Sequence, residues 1–296
     1  MILIAGGTGL LGTQVTRLLT AQGQDVRVLT RNPQRARHLE AGHVEFVTGS
    51  VQDPDAVAQA VAGSRMVISA IHGFAGHGAS NPTTVDLHGN RALIRAAQAQ
   101  GVERFILLSI HGATLDHPIE LFRMKRRAEE ELQASGIPWT IIRPTAYMET
   151  WTKLIGEPLV ITGKTRIFGR GENPINFVSA SDVAHYVTLA TEDSGMTRQC
   201  LEVGGPENLT MRHVAETIMC VTKVTGVVTP VPLSMMRMMA TLLRPFNPTL
   251  ARQIQAAVVM DTRDMSFDPT ALRQRFPTMP FTTLEDVVRR DFASGV

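Results

Sequence analysis

The chain has few of the residues that build disulfide or metal sites. Its 296 residues include only two cysteines, Cys200 and Cys220, which form neither a CxxC pair nor a metal-ligand spacing. No two histidines have metal-like spacing either. We therefore predict no metal site, no disulfide framework and a reducing, cytoplasmic location.

Long apolar runs and a strong net charge are also missing. No apolar run reaches the ~18 residues of a membrane-spanning helix, and the formal net charge is only +2. We therefore expect no integral membrane span and no nucleic-acid partner. The apolar N-terminus lacks a basic region and breaks at Gly6-Gly7, which is typical of a strand rather than a signal peptide. The expected partner is a small-molecule substrate, and monomer and homodimer both remain open.

Segments with strand character alternate with helical segments over about 140 residues. Met1–Ala5 predicts a buried strand, and Leu10–Gln22 follows with helical spacing until Gly23. This alternation requires crossover connections, and therefore a parallel sheet that is covered on both faces. The further predicted strands are Val26–Thr30, Val44–Thr48, Met66–Ile71, Phe105–Ile110 and Trp139–Ile142, and the longer predicted helices are Val85–Gln100 and Leu121–Ser135.

The pattern becomes irregular after Pro144, where proline and glycine are more frequent. Val183–Thr191 still predicts a sheet-covering helix, and Cys200–Val203 predicts a late strand. We therefore expect an α/β fold with a Rossmann-type doubly wound parallel sheet and a smaller, interleaved C-terminal substrate lobe. The nucleotide-binding domain is assigned to residues 1–148, to which 181–204 return, and the lobe to 149–180 and 205–296.

The first strand-to-helix turn is rich in glycine. Residues Gly6–Gly12 fit G-x-x-G-x-x-G, and from Gly7 they fit G-x-G-x-x-G. Such glycines permit a tight turn and let backbone amides approach a pyrophosphate, while the helix N-terminus supplies further N–H groups. A turn without a ligand is the alternative, but the flanking strand and helix favour a dinucleotide. The predicted contacts are Gly6, Thr8, Gly9, Leu10, Leu11 and Gly12, the last of which also lets the helix pack close to the sheet.

The second predicted strand ends without the acid that selects NAD in related folds. That acid accepts hydrogen bonds from the ribose 2′-hydroxyl, and Val28–Asn32 contain no carboxylate. A guanidinium can instead bind a 2′-phosphate in bidentate fashion. A solvated arginine at a strand end is the alternative. The missing acid favours NADP(H), with Arg31 and Asn32 as contacts and Arg35 as a further candidate.

These residues and an ordered set of downstream motifs resemble the atypical short-chain dehydrogenase/reductases of the NmrA-like group. The resemblance covers nearly the whole chain. It implies an NADP(H)-linked reductase, or a cofactor-sensing relative that has lost its chemistry. The motifs are Gly6–Gly12, Thr30–Pro33, Leu107–Ser109 leading to Gly112-Ala113, Lys125 before Glu129, Ile142–Thr145, Phe177-Val178 before Asp182–Ala184, and Gly204–Glu207.

One catalytic residue of the standard enzymes of this superfamily is missing. They use a serine and a Tyr-x-x-x-Lys pair, in which the lysine holds the ribose and lowers the pKa of the tyrosine. Neither Tyr147 nor Tyr186 has a lysine four residues later, and Leu121 stands four residues before Lys125. The resemblance assigns Lys125 to the cofactor ribose. The alternative is one more solvated cation in the charged run Arg123–Glu131.

The candidate catalytic groups lie where predicted strands end, because ligands of such sheets bind outside the carboxyl ends of the strands. Ser69 and His72 end the fourth strand, and Ser109 ends the fifth. His111 follows, and histidine can donate protons near neutral pH, although a polar loop histidine explains it equally well. The catalytic candidates are Lys125, Ser109 and His111, and the further cofactor contacts are Ser69, Ala70, Ser109, Lys125 and Pro144.

The segment Pro232–Ala257 is rich in methionine and leucine and is interrupted by Arg237 and Arg244. Methionine adapts to irregular surfaces, so core packing or a lid over an apolar substrate is the favoured interpretation. A helix on a membrane surface or against a partner is the alternative.

Two functions are compatible with these patterns. The favoured one is an NADPH-dependent reductase of a small conjugated carbonyl compound such as a quinone or an enone. Hydride addition to such a compound gives a delocalised oxyanion, for which a strong local acid is less necessary. The second is a non-catalytic NADP(H)-binding regulator that contacts another protein, which the missing tyrosine supports.

Overall fold

The computed structural model describes residues 1–39 and 43–292. Three short helical segments, Pro33–Leu39, Pro82–Gly89 and Ser194–Met196, accompany the regular elements. In chain order those elements are β1 (Ile2–Ala5), α1 (Leu10–Ala21), β2 (Val26–Thr30), β3 (Val44–Thr48), α2 (Pro54–Val61), β4 (Met66–Ser69), α3 (Asn90–Ala99), β5 (Arg104–Leu108), α4 (Glu120–Ala134), β6 (Trp139–Pro144), β7 (Ala146–Tyr147), α5 (Met148–Thr162), β8 (Lys164–Phe168), β9 (Ile175–Val178), α6 (Ala180–Glu192), β10 (Gln199–Val203), β11 (Glu207–Leu209), α7 (Met211–Thr222), β12 (Val227–Val231), α8 (Leu233–Leu243), α9 (Pro248–Thr262), α10 (Thr270–Arg275) and α11 (Leu284–Phe292).

The chain divides into two compact units. The first comprises Met1–Pro144 and Val183–Glu202, and the second comprises Thr145–Asp182 and Val203–Val296. The chain therefore leaves the first unit, returns to it, and leaves it again. The assignment of the second unit to substrate binding stays a prediction.

The first unit is built on a seven-stranded parallel sheet in the order β10-β6-β5-β4-β1-β2-β3. The central strand β1 pairs with β2 on one side and with β4 on the other, so that Ile2 lies opposite both Val26 and Met66. Both faces of β1 are fully buried, as expected for a sheet that is covered by helices on two sides. The predicted Rossmann-type α/β fold is confirmed.

Helix α1 shows why these segments fold as they do. Leu11, Val15 and Leu19 recur every four residues and are buried on one helix face. The helix ends at Ala21 with Gln22 as its C-cap, and Gly23 follows with a φ of +73°, a left-handed conformation that glycine adopts without steric cost. The apolar spacing and the glycine together set the length of the helix.

The second unit contains a three-stranded sheet, β11-β9-β7, and a parallel pair of strands, β12 and β8. Helices α5, α7 and α11 share its main core, in which Met148, Phe177, Val214 and Val287 are fully buried. Helices α8 and α9 form a smaller cluster around Met236, Ile254 and Ala257. No helix in the described part of the chain is long and apolar enough to cross a bilayer.

Candidate cofactor site and active site

Two glycines of the loop between β1 and α1 are required by close backbone packing. Gly6 has a φ of +88°, and a Cβ added there would lie 2.6 Å from the Ala70 carbonyl oxygen. A Cβ added at Gly12 would lie 2.1 Å from the Gly6 carbonyl oxygen. The close neighbour of Gly12 is therefore the loop itself, not the sheet as the sequence pattern suggested.

Gly9 is in a different position. It is the N-cap of α1, and its backbone is extended, with a φ of −81° and a ψ of 176°. As a glycine it has no side chain that could cover the amino end of the helix. A Cβ added there would meet only the Gly6 carbonyl oxygen, at 3.4 Å, among the described residues. The first turn of α1 also contains no acidic residue. The backbone N–H groups at the amino end of α1 are thus not covered by a side chain of this loop. They form a cradle that fits the pyrophosphate of a dinucleotide.

The other loop residues reach this cradle in different ways. Thr8 is half-buried, and the side chain of Leu10 is exposed. Leu11 is buried on the core face of α1, so it can meet a ligand only through its backbone amide. Their cofactor contacts stay predictions.

Arg31 and Asn32 follow β2, the strand next to β1 in the sheet. Arg31 is exposed, and its Nη1 lies 3.3 Å from the Ser80 hydroxyl in the loop after β4. The Asn32 side-chain oxygen accepts a hydrogen bond from the Gln34 amide at 3.0 Å and so begins the short helix Pro33–Leu39. The exposed guanidinium is therefore loosely held beside the glycine loop. The side chain of Arg35 lies outside the described part of the structure.

Ser69 and Ala70 lie at the carboxyl end of β4. The Ser69 hydroxyl is fully buried and donates a hydrogen bond to the Asn90 side-chain oxygen at 2.6 Å. The half-buried Ala70 contacts the glycine loop, because its carbonyl oxygen is the closest neighbour of the position that a Cβ on Gly6 would take. The contacts within the protein explain both residues, and a contact with the cofactor stays a prediction.

Lys125, on α4, is buried rather than solvated, with 3% of its surface exposed. Its Nζ donates hydrogen bonds to the carbonyl oxygens of Ile71 and Leu108, both at 2.9 Å. The same Nζ forms an ion pair of 3.0 Å with the fully buried carboxylate of Asp86. Interpretation as a surface cation is therefore wrong. The ammonium links α4 to the ends of β4 and β5, and bonding to a ribose would require the loss of one of these contacts.

Ser109 follows β5 directly, and the residue is only 6% exposed. Its hydroxyl is buried and has no hydrogen-bond partner among the described residues. An unsatisfied buried hydroxyl costs about 1–3 kcal/mol, and such groups in native proteins call for an explanation. A polar ligand atom at this strand end would supply the missing partner.

His111 lies two residues beyond Ser109 and takes part in a network of charged groups. Its Nδ1 contacts one carboxylate oxygen of Glu202, and the other oxygen accepts a hydrogen bond of 2.8 Å from Arg143. Arg143 also forms two hydrogen bonds, of 2.9 and 2.6 Å, with the buried Glu129. The amide of His111 donates to the Pro144 carbonyl oxygen at 2.9 Å. Pro144, a predicted cofactor contact, thus helps to hold the histidine loop.

The network changes the titration of its members. Burial acts to raise the pKa of Glu202, but hydrogen bonds from His111 and Arg143 outweigh it, and the pKa lies below the usual glutamate value. The hydrogen bond to Glu129 raises the pKa of Arg143. The pair of Glu202 and His111 joins residues 91 positions apart. Sequence reasoning missed Glu202, since β10 carries no motif that points to its partner.

Comparison with known protein families shows which family this chain belongs to. A family model described as NAD(P)H-binding matches residues 6–194, more than half of the chain. The chain belongs to the NAD(P)H-binding family. The match includes the glycine loop, Arg31, Ser109, His111 and Lys125, and the predicted class of cofactor is confirmed.

The proteins that are similar to this chain include an enzyme and an assembly factor. An NAD(P)H azoreductase of Xenophilus azovorans is 29% identical over 217 residues, 73% of this chain and 71% of the relative. Photosystem II assembly factor Ycf39 of Synechocystis is 26% identical over 298 residues, 98% of this chain and 90% of the relative. The NADPH complex of the quinone oxidoreductase QOR2 of Escherichia coli has a TM-score of 0.78 and 21% identity, covering 98% of this chain and 99% of that one. The last likeness shows the fold alone.

Proposed function

We propose that this member of the NAD(P)H-binding family is an NADPH-dependent reductase of a small conjugated carbonyl compound, a quinone or an enone. One observation carries the proposal. The carboxyl end of β5 presents the hydroxyl of Ser109, which has no hydrogen-bond partner in the described part of the chain, and, two residues later, the imidazole of His111 held by Glu202. A protein that only sensed its cofactor would need neither group at the edge where such sheets bind ligands.

The chain's own residues account for binding of NADPH. The N–H groups around Gly9 would hold the pyrophosphate, and the absence of acid in the first turn of α1 keeps that end attractive to anions. Arg31 can turn from Ser80 to the 2′-phosphate, because the contact between them is exposed and long. Lys125 keeps the ends of β4 and β5 in place from within the protein.

NADPH supplies a hydride when it is bound, so the protein must stabilise one negative charge and deliver one proton. Hydride addition reduces the conjugated acceptor to an oxyanion. The Ser109 hydroxyl donates a hydrogen bond to that oxygen, and His111 transfers a proton to it. Glu202 holds Nδ1 of His111, so the proton would leave from Nε2. One hydride and one proton convert a quinone into a hydroquinone.

The relatives support an acceptor of this kind. The proteins similar to this chain include an azoreductase, and a quinone oxidoreductase shares its fold. Azo compounds and quinones are both conjugated acceptors that are reduced by two electrons together with protons.

The proposal is tested by NADPH oxidation with a panel of a benzoquinone, an enone and an azo dye. We expect His111→Asn to lower kcat by about a hundred-fold, as for loss of a general acid, and Ser109→Ala to lower it less. NADPH affinity should change little in either variant. His43→Asn is the matched control, because His43 also contacts a carboxylate, that of Asp25 at 3.2 Å, but lies before β3 at the amino ends of the strands.

Two outcomes would contradict the proposal. Absence of turnover with every acceptor would remove the reductase function. Turnover that is unchanged in both His111→Asn and Ser109→Ala would show that the site is wrong. Lys125 is not used for this test, because removing its charge leaves the buried Asp86 carboxylate unmatched, at a cost of about 3–5 kcal/mol of stability.

A regulatory function is the second candidate, and the engaged state of Lys125 favours it. Its ammonium contacts the carbonyl oxygens of Ile71 and Leu108 and the carboxylate of Asp86, and no tyrosine precedes it at the expected spacing. The full-length similarity to an assembly factor points the same way. This candidate predicts tight NADPH binding with no oxidation by any member of the panel.

A further inference from the structure

The chain that follows β4 forms a closed loop, Gly73–Asn81. A Cβ added at Gly73 would lie 2.5 Å from the Asn81 carbonyl oxygen, so the two ends of the loop are in contact. The Gly73 amide also donates a hydrogen bond of 2.8 Å to the buried carboxylate of Asp86. The Asn81 side-chain oxygen accepts a hydrogen bond of 3.0 Å from the Thr84 amide. Compact surface loops of this length whose ends meet are frequently functional.

This loop lies beside the proposed cofactor site. It leaves β4, but its last residues contact groups that follow β2 and β3, and β1 lies between β4 and β2 in the sheet. Gln52, after β3, donates a hydrogen bond from Nε2 to the Ala79 carbonyl oxygen at 2.9 Å. Arg31, after β2, donates to the Ser80 hydroxyl at 3.3 Å. The loop therefore reaches the proposed 2′-phosphate ligand from the side of β4.

The position of Ser80 does not depend on Arg31. The Ser80 amide donates to the His77 carbonyl oxygen at 3.1 Å. The preceding carbonyl, that of Ala79, accepts from the Thr84 hydroxyl at 2.5 Å as well as from Gln52. Backbone contacts on both sides thus hold this serine next to the guanidinium, and such a prearranged donor loses little freedom when it binds a ligand.

The Ser80 hydroxyl has a proton to offer. A serine hydroxyl can accept and donate at the same time, and that of Ser80 accepts from Arg31. The hydroxyl donates no hydrogen bond to any other residue that the structure describes. Residues 71–81 contain no aspartate or glutamate, so no carboxylate of this loop repels an anion at Arg31 and Ser80.

We propose that Ser80 is a second ligand of the 2′-phosphate, and therefore a residue that selects NADPH over NADH. The phosphate oxygens accept from the guanidinium of Arg31 and from the hydroxyl of Ser80, so the contact between these two side chains is replaced without leaving either unpaired. The phosphate then fastens the loop Gly73–Asn81 to the end of β2. This inference rests on the proposed pairing of Arg31 with the 2′-phosphate and is independent of turnover.

Calorimetric titration of NADPH and NADH tests this role. We expect Ser80→Ala to weaken NADPH binding about ten-fold, because a hydrogen bond to a charged group is lost, and to leave NADH binding unchanged. Ser80→Thr keeps the hydroxyl and should keep the preference for NADPH. Ser135→Ala is the matched control. Ser135 is also half-buried, and its hydroxyl donates to the Leu132 carbonyl oxygen at 2.7 Å, but it lies between α4 and β6, at the amino ends of the strands.

Cleavage by chymotrypsin after Phe74, followed by mass spectrometry, is a second measurement. Phe74 lies in the loop, and a loop that is fastened by the 2′-phosphate should open less often. We expect saturating NADPH to slow this cleavage more than saturating NADH does. The difference between the two cofactors should disappear in Ser80→Ala.

The two possible roles of Ser80 predict opposite results. A serine that only holds Arg31 in the free protein competes with the phosphate, so Ser80→Ala would then leave NADPH binding unchanged or tighten it. Either result would overturn the inference, as would equal losses of affinity for NADPH and NADH. Arg31→Ala is measured alongside. A selective loss of NADPH in Arg31→Ala but not in Ser80→Ala refutes the inference alone, whereas no selective loss in either variant refutes the proposed 2′-phosphate site itself.

Discussion

At the scale of single residues, Gly9 and Gly12 occupy the same motif for different reasons. Gly12 leaves no room for a side chain, whereas a Cβ on Gly9 would make one ordinary contact, with the Gly6 carbonyl oxygen at 3.4 Å. We expect Gly12→Ala to lower the free energy of unfolding by about 1–3 kcal/mol through overpacking.

Gly9→Val should change the free energy of unfolding by about 1 kcal/mol or less. It should weaken NADPH binding at least about ten-fold, because the added side chain blocks the pyrophosphate. Denaturant unfolding and calorimetric titration measure the two effects. Undiminished NADPH affinity in a folded Gly9→Val protein would show that the N–H groups at the amino end of α1 do not bind the pyrophosphate.

Arg31 determines the choice between cofactors in this proposal. Arg31→Ala removes the charged group that directly follows β2, and we expect NADPH binding to fall about ten- to a hundred-fold, equivalent to about 1.5–3 kcal/mol. NADH lacks the 2′-phosphate, so its affinity should hardly change. Titration of both cofactors measures the difference, and Arg17→Ala, at an exposed arginine of α1, is the control. Equal losses for NADPH and NADH would assign Arg31 another role.

At the scale of elements, Glu202 joins β10 to the loop after β5 and to β6. Its pKa lies below the usual glutamate value, so its contacts contribute stability that is present above the usual glutamate range and is lost as the pH falls through the lowered pKa. We expect Glu202→Gln to destabilise the protein more at pH 7 than at pH 3. Unfolding curves at the two pH values measure this. Glu172→Gln, which removes an exposed pair with Arg212, should show no such change. An equal loss of unfolding free energy in Glu202→Gln at pH 7 and at pH 3 would contradict this prediction.

Single elements were predictable where one pattern dominates. Strand β2 and helix α1 follow from apolar spacing and a glycine stop, and their predicted bounds agree with the structure within a residue. The helix predicted from Val85 instead begins at Pro82, because the Asn81 side chain accepts from the Thr84 amide and proline fits the first turn. The second unit was not predictable, since β8 pairs with the distant β12 and β7 has only two residues.

The residues proposed for the candidate site could be named from the sequence, but their contacts within the protein could not, and their roles at a ligand stay predictions. The glycine loop, Ser109 and Lys125 were identified from motifs that are local in the sequence. Asp86 and Glu202 were missed, because each meets its partner only through the order of the strands in the sheet. Long-range ion pairs of this kind leave no periodic signal.

At the scale of the whole molecule, NADPH should stabilise the fold that binds it. Binding to the native state alone adds about 2.7 kcal/mol when the ligand is present at a hundred times its Kd. We therefore expect NADPH to raise the melting temperature, and NADH at the same concentration to raise it less. Differential scanning fluorimetry measures both shifts, and Gly9→Val is expected to show a smaller NADPH shift than the wild type. An equal NADPH shift in Gly9→Val would mean that the cofactor binds elsewhere.

The burial of Lys125 has a consequence for chemical labelling. The chain has only four lysines, and Lys153, Lys164 and Lys223 all belong to the second unit. Acylating reagents that attack amines should therefore modify the second unit and the N-terminal amine, while the enclosed ammonium of Lys125 stays unreacted. Its slow acylation, followed by mass spectrometry, would report how often the end of α4 comes away from β4 and β5. The rate of Lys125 acylation would thus measure local opening of the first unit.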